Sequence, residues 1–297
     1  MNLHPAIAPL VADPRMTVRV PPPHVSLERI REAANKAMVR GPSPDLASVV
    51  DIRLSCGEAS VPVRVYRPDR EPAESVIVFV HGGGFVWGSL DTHDGLCRRM
   101  AKATGKAVVS VDYRLSPEAP FPSAEDDVAL VARQVFEGAI DGVSRGCSIN
   151  LCGDSAGGYL ARHAAGRLTG AGIGLERLVL IYPALDPACS APSHGRNAQG
   201  PVLTSAAMKW FWSAHGLTPE HPLDTARDLH RYPPTFLLAA EFDPLHDEAE
   251  HFAAELAESG ATVEFMTAAG LVHGFLSLDI PLGLRNAWED RIFGKLR

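Results

Sequence analysis

Gly153-Asp154-Ser155-Ala156-Gly157-Gly158 is the stretch that decides how this chain is read. Before it runs Ser148-Ile149-Asn150-Leu151-Cys152, whose apolar residues predict a buried strand. After it comes Tyr159-Leu160-Ala161-Arg162-His163-Ala164-Ala165, which predicts a helix. A Gly-x-Ser-x-Gly between strand and helix is a sharp turn that pushes the serine hydroxyl outward. Gly153 and Gly157 flank Ser155 because a Cβ at either place would strike the neighbouring strand or helix. The helix opening at Ala156 also aims its unpaired amides at the space beside Ser155, which favours an anion there.

A serine at its ordinary pKa is a weak nucleophile. It needs a base, a group to orient that base, and donors for an oxyanion. Upstream, Ser75–Val80 predicts a buried strand ending in His81-Gly82-Gly83-Gly84-Phe85. Its three glycines let the backbone turn its amides toward a ligand, and loops of this type serve oxyanion holes. The expected donors are the amides of Gly83, Gly84 and Ala156, with His81 and Gly82 in the loop and His81 bracing it. Downstream, Thr235–Ala240 predicts a strand with Asp243 just beyond it. Asp243 suits the orienting acid, or a simple N-cap ahead of Pro244. Glu241 and Asp247 are nearby rivals. The base candidate is His273, in the loop after the alternating Val263-Glu264-Phe265-Met266. The order Ser155, Asp243, His273 is the order of nucleophile, acid and base in α/β-hydrolases.

Taken together, HGGGF, GDSAGG, DPL and HGF at these spacings resemble the hormone-sensitive-lipase-like family of carboxylesterases, the HGGG or bacterial family IV esterases. Asp112–Pro122 resembles that family's segment between the oxyanion loop and the serine turn. The likeness runs from about Val61 to Phe275. It implies a Ser-His-Asp hydrolase of short acyl esters with a helical cap, needing neither metal nor organic cofactor, as monomer or homodimer. Amide, carbamate or lactone cleavage on the same site is the alternative chemistry, and a non-catalytic ligand-binding relative the other. Within Asp112–Pro122, Asp112, Arg114 and Glu118 are expected to form a charge network, with Pro120 or Pro122 in cis.

Eight apolar or alternating runs predict strands near Val49–Leu54, Val61–Tyr66, Val76–Val80, Ala107–Val111, Ile149–Cys152, Leu178–Tyr182, Phe236–Ala240 and Val263–Met266. Helical patterns intervene after the third, near Asp94–Thr104, Ser123–Phe136, Ala156–Leu168, Pro244–Ser259 and Leu284–Phe293. The alternation predicts an α/β-hydrolase fold, a mostly parallel sheet of about eight strands flanked by helices, with an antiparallel edge from the first two. Residues 1–45, with a helix over Val25–Val39 and then Gly41-Pro42-Ser43-Pro44, form the first part of the expected cap; residues 187–231 form the second. The core is then 46–186 and 232–297. Phe85, Trp87 and Trp210 are candidates for an acyl pocket, or for plain packing between cap and core.

The 297 residues, 46% hydrophobic, suffice for one large domain. A net charge of −7 without a basic run argues against nucleic acid as a partner and leaves a small-molecule ester. No run of about 20 apolar residues predicts a membrane span. The N-terminus lacks the pattern of a secretion signal, and five cysteines without a CxxC pair fit reduced thiols, so the expected compartment is the cytoplasm. His246-Asp247-Glu248-Ala249-Glu250-His251 imitates a zinc motif, but its histidines stand five apart and not four, so the expectation is solvated helix surface.

Overall fold

The computed structural model describes residues 2–38, 43–56, 59–218 and 228–297. The eight strands are β1 (Ser48–Cys56), β2 (Ala59–Arg67), β3 (Ala73–Val80), β4 (Ala107–Val111), β5 (Val143–Asp154), β6 (Arg177–Ile181), β7 (Thr235–Phe242) and β8 (Val263–Val272). They form one sheet in the order β1-β2-β4-β3-β5-β6-β7-β8. β1, β2 and β4 pair antiparallel, and every pairing from β4 through β8 is parallel. The helices are α1 (Ala8–Val11), α2 (Leu27–Met38), α3 (Asp94–Thr104), α4 (Ser123–Phe136), α5 (Ala156–Gly170), α6 (Pro192–Arg196), α7 (Ser205–His215), α8 (His246–Glu258) and α9 (Leu282–Gly294).

A parallel sheet hides both faces, so its strands read as unbroken apolar runs. Alternate residues of β3 show why. Val76, Val78 and Val80 enter one core with residues of α4, α5 and α8. Ile77 and Phe79 enter the other with residues of α3 and α9. β5 lies between β3 and β6, so the turn carrying Ser155 rises from the sheet's interior. No helix among the described residues is long and apolar enough to cross a membrane.

Several element ends differ from the sequence reading. β5 begins six residues before Ile149, and β8 continues to Val272, because hydrogen-bonded pairing outlasts the apolar pattern. α8 begins at His246, so Pro244 precedes the helix, and the Asp243 carboxylate instead accepts the N–H of Leu245. α2 begins at Leu27, and Val39, Gly41 and Pro42 lie outside the described residues, as does the 219–227 part of the second expected cap segment. The expected charge network of Asp112, Arg114 and Glu118 is not what forms. Arg114 pairs with Asp127 (2.8 Å) and Glu118 with Arg31 of α2 (2.7 Å), because both side chains point away from their own loop. Pro122 follows a cis peptide bond, as do Pro117 and Pro201.

Candidate active site

The turn after β5 is tight enough to exclude side chains on both flanks. A Cβ on Gly153 would meet the carbonyl of Gly157, and one on Gly157 the carbonyl of Val80. Ser155 between them has φ 56° and ψ −122°, a strained setting that costs about 1–3 kcal/mol and persists only where the surroundings enforce it. Here the Ser155 N–H donates to the Ile181 carbonyl (2.9 Å), and its own carbonyl accepts from Gly158 (2.9 Å) and Ala184 (3.1 Å). Ser155 is left partly exposed.

Three side chains distant in sequence meet at this hydroxyl. Ser155 Oγ lies 2.9 Å from His273 Nε2, and His273 Nδ1 lies 2.7 Å from Asp243 Oδ2. Since a carboxylate only accepts, Nδ1 donates to Asp243 and Nε2 is left to accept from the hydroxyl. Asp243 is fully buried; its second oxygen accepts the Leu245 N–H (2.9 Å), and its backbone carbonyl accepts from Asn197 (3.1 Å). The Tyr182 ring meets the His273 ring edge-on at 5.1 Å. The rival acids are occupied elsewhere. Glu241 accepts the Gly270 N–H (2.7 Å), and Asp247 pairs with Arg196 (2.7 Å).

The glycine loop after β3 lies against the same turn. Gly83 and Gly84 take φ 129° and 58°, backbone that favours glycine. Among the described residues, no protein acceptor bonds the N–H groups of Gly83, Gly84 or Ala156; Ala156 opens α5, where no intrahelical partner exists. The loop is fastened from below. The Gly82 N–H donates to Asp154 Oδ1 (2.8 Å), and His93 Nε2 stands 3.3 Å from the same oxygen. Burial works to raise the Asp154 pKa, but His93, the Gly82 amide and His81 outweigh it and hold the carboxyl below its usual value. His81 is sandwiched between Tyr113 (4.4 Å) and His93 (5.7 Å), and the Tyr113 hydroxyl donates to its carbonyl (2.9 Å). Burial, with the neighbouring His93, pushes its imidazole down to about 4, so His81 is neutral at pH 7. From α2, Arg31 donates to the Val86 carbonyl (2.7 Å), and Asn35 accepts the Gly88 N–H (3.0 Å).

The aromatic candidates divide. Phe85 has no exposed surface; it is packed against His215, Tyr159 and Trp212. Trp87 is 9% exposed and meets Phe211 edge-on at 4.7 Å, while Trp210 is partly buried. Phe211, which the sequence does not single out, lies over Gly84 where a side chain would otherwise stand.

The zinc-like stretch also needs correction. Glu248 is buried, not solvated: its carboxylate accepts the Leu185 N–H (2.6 Å) and lies 3.2 Å from His194 Nε2. Burial raises its pKa to about 7. Ligand atoms of His246, Asp247 and Glu250 fall within 4.8 Å of one another, close enough to hold an ion. Asp247 is already engaged by Arg196, and His246 by Asp247 and Thr267.

Sheet, serine turn and glycine loop together define an α/β-hydrolase. The family described as the alpha/beta hydrolase fold matches residues 77–277, and the chain belongs to it. It is 32% identical to the Ethyl acetate hydrolase of Pseudomonas putida, over 94% of this chain and 93% of that protein. With Esterase LipI of Mycobacterium tuberculosis it shares 36% identity over 84% of this chain and 81% of the relative. An esterase structure from Pyrobaculum calidifontis superposes with a TM-score of 0.88 at 32% identity, covering 98% of this chain and 97% of the other. The protein is a carboxylesterase of the hormone-sensitive-lipase-like kind.

Proposed function

We propose that this carboxylesterase works through an acyl-enzyme on Ser155, with His273 as general base and acid and Asp243 as the orienting carboxylate. The observation that carries the reading is the unbroken relay of 2.9 Å and 2.7 Å from hydroxyl to imidazole to buried carboxylate. Ser155 Oγ attacks the ester carbonyl as its proton passes to His273 Nε2. Asp243 keeps the ring in the tautomer that can accept, and stabilises the imidazolium. The tetrahedral oxyanion takes hydrogen bonds from Gly83, Gly84 and Ala156, each such donor contributing about 3 kcal/mol in the transition state. His273 then protonates the departing alcohol. Water, deprotonated by the same ring, releases the acid and restores Ser155.

The substrate class we propose is small, soluble esters of short acids. The name of the Pseudomonas putida relative supports it, as do the aromatic rings of Phe211 and Trp87 crowding the glycine loop. The cap is read as α2 with α6 and α7: Arg31 of α2 and Phe211 of α7 reach the loop, and Asn197, just after α6, reaches the acid. Buried free thiols at Cys97, Cys147, Cys152 and Cys189 support a reducing, cytoplasmic setting. Hydrolysis of p-nitrophenyl esters from acetate to laurate, by the parent and by Ser155→Ala, tests the reading. Activity should peak at short chains and vanish in the variant. Undiminished turnover by Ser155→Ala would refute the mechanism, and a maximum at laurate the substrate class.

A further inference from the structure

We propose that His215, the last residue of α7, positions the oxyanion loop through a buried relay with Glu125 and Ser116. The inference rests on the reading of Gly83 and Gly84 as oxyanion donors. His215, Glu125 and Ser116 have no exposed surface. His215 Nδ1 lies 2.9 Å from Ser116 Oγ, and Nε2 lies 2.9 Å from Glu125 Oε1. Three separate parts of the molecule are thereby joined: α7, the first turn of α4, and the loop after β4.

The relay ends on the residue that follows the glycines. The His215 imidazole stacks on the Phe85 ring at 4.0 Å and 9°. The Ser116 N–H donates to the Phe85 carbonyl (2.9 Å), and the His215 carbonyl accepts from Phe121 (2.8 Å). Phe85 needs such restraint, because its φ of 65° is left-handed backbone that a side chain disfavours by about 1–2 kcal/mol. One turn before His215, Phe211 packs onto Gly84. The setting of α7 along its axis therefore fixes Phe211 and Phe85 together, and with them the backbone of Gly83 and Gly84.

Stability alone does not call for these residues. Well-packed apolar side chains serve a buried site as well as, or better than, an ionisable pair. Glu125 Oε2 is buried without a hydrogen-bond partner among the described residues, which costs free energy. What the polar set adds is direction: two hydrogen bonds on opposite ring nitrogens fix an orientation that an apolar ring lacks.

The test compares His215→Phe, which keeps a stacking ring but loses both nitrogens, with Glu125→Met and Glu125→Gln. Three quantities are read: kcat and KM for p-nitrophenyl acetate, Ki for an aryl trifluoromethyl ketone, and the melting temperature. The ketone adds Ser155 Oγ to its carbonyl carbon, sending the proton to His273 and the new oxyanion into the hole. Because small misplacements of catalytic groups are costly, His215→Phe and Glu125→Met should lose about 10-fold in kcat with KM held within about twofold. The ketone Ki should weaken in parallel, as it does when transition-state contacts are lost. Glu125→Gln retains an acceptor oxygen and should stay within about threefold of the parent. Melting temperatures that fall while kcat and Ki stay at parental values would reduce the relay to packing and overturn the proposal. Should His215→Phe not fold, Glu125→Met and Ser116→Ala carry the same readouts from the other ends of the relay. Ser155→Ala in the same series separates the two readings. If it still hydrolyses ester, the serine mechanism itself fails; if it is inactive while His215→Phe and Glu125→Met match the parent, only the relay falls.

Discussion

Removing the Asp154 carboxylate should damage turnover without touching any of the three groups in the proton relay. Asp154 Oδ1 is the acceptor for the Gly82 N–H at 2.8 Å, in a site closed to water. Alanine there leaves a buried amide unpaired, a penalty of about 1–3 kcal/mol. The loop escapes that penalty by shifting, and any shift moves the adjacent Gly83 and Gly84 amides. The ceiling is the loss of one oxyanion donor, about 3 kcal/mol or somewhat over 10²-fold. Asp154→Ala should therefore cost about 10- to 100-fold in kcat. Asp154→Asn keeps an acceptor oxygen but loses the charge that makes such a bond roughly twice as strong, so it should cost only about three- to fivefold. KM should hardly move, since these donors act on the transition state more than on bound ester. Steady-state hydrolysis of p-nitrophenyl acetate, with circular dichroism to verify folding, measures all three proteins. A folded Asp154→Ala enzyme with kcat within twofold of the parent would show that the loop does not depend on this buttress.

Other consequences are open to direct measurement. Asp243→Asn should lower kcat by about 10⁴-fold, because an amide N–H facing His273 selects the wrong tautomer; a loss under tenfold would mean that another acid orients the ring. His81, held at about 4 against an ordinary 6.5, remains neutral in the folded protein while the unfolded chain takes up a proton. Its contribution is therefore complete above about pH 6.5 and is lost as pH falls toward 4, at up to about 1.4 kcal/mol per pH unit. Urea melts of His81→Asn should accordingly show a shallower decline over that range, and an unchanged slope would assign the acid sensitivity elsewhere. Gly157→Ala drives a methyl group into the Val80 carbonyl. Backbone cannot yield as a side chain does, so a loss of at least about 2 kcal/mol is expected, seen as a lower melting temperature or insoluble protein; a melting temperature matching the parent would contradict the clash.

Much of this architecture could be read from residue order. The runs that became β3, β6 and β7 are apolar throughout because both faces of the sheet are covered, and the serine turn betrays itself by glycines that packing requires. Asp243 and His273 were legible as candidates by chain order alone, and in the structure they lie 2.7 Å apart. What escaped is contact between side chains whose positions follow no period. Asp154 reads only as a neighbour of the serine, yet it supports the glycine loop. Phe85 reads as either pocket wall or packing because it follows the glycines, and residue order does not show that an imidazole from 130 residues downstream covers it. Glu248 sits in a charged helical run, and nothing in that run reveals that His194 faces it.

The glycine loop is gripped by Arg31 and Asn35 from near the N-terminus, by Asp154 from mid-chain, and by Phe211 from beyond residue 200. During synthesis, then, a chain made only as far as β6 would still lack the last of these restraints. On the proposed mechanism Asp243 and His273 come later still, so hydrolytic competence should wait until β7 and β8 have been made. A half-made chain, without Asp243 and His273, is thus kept from cleaving esters before it is finished.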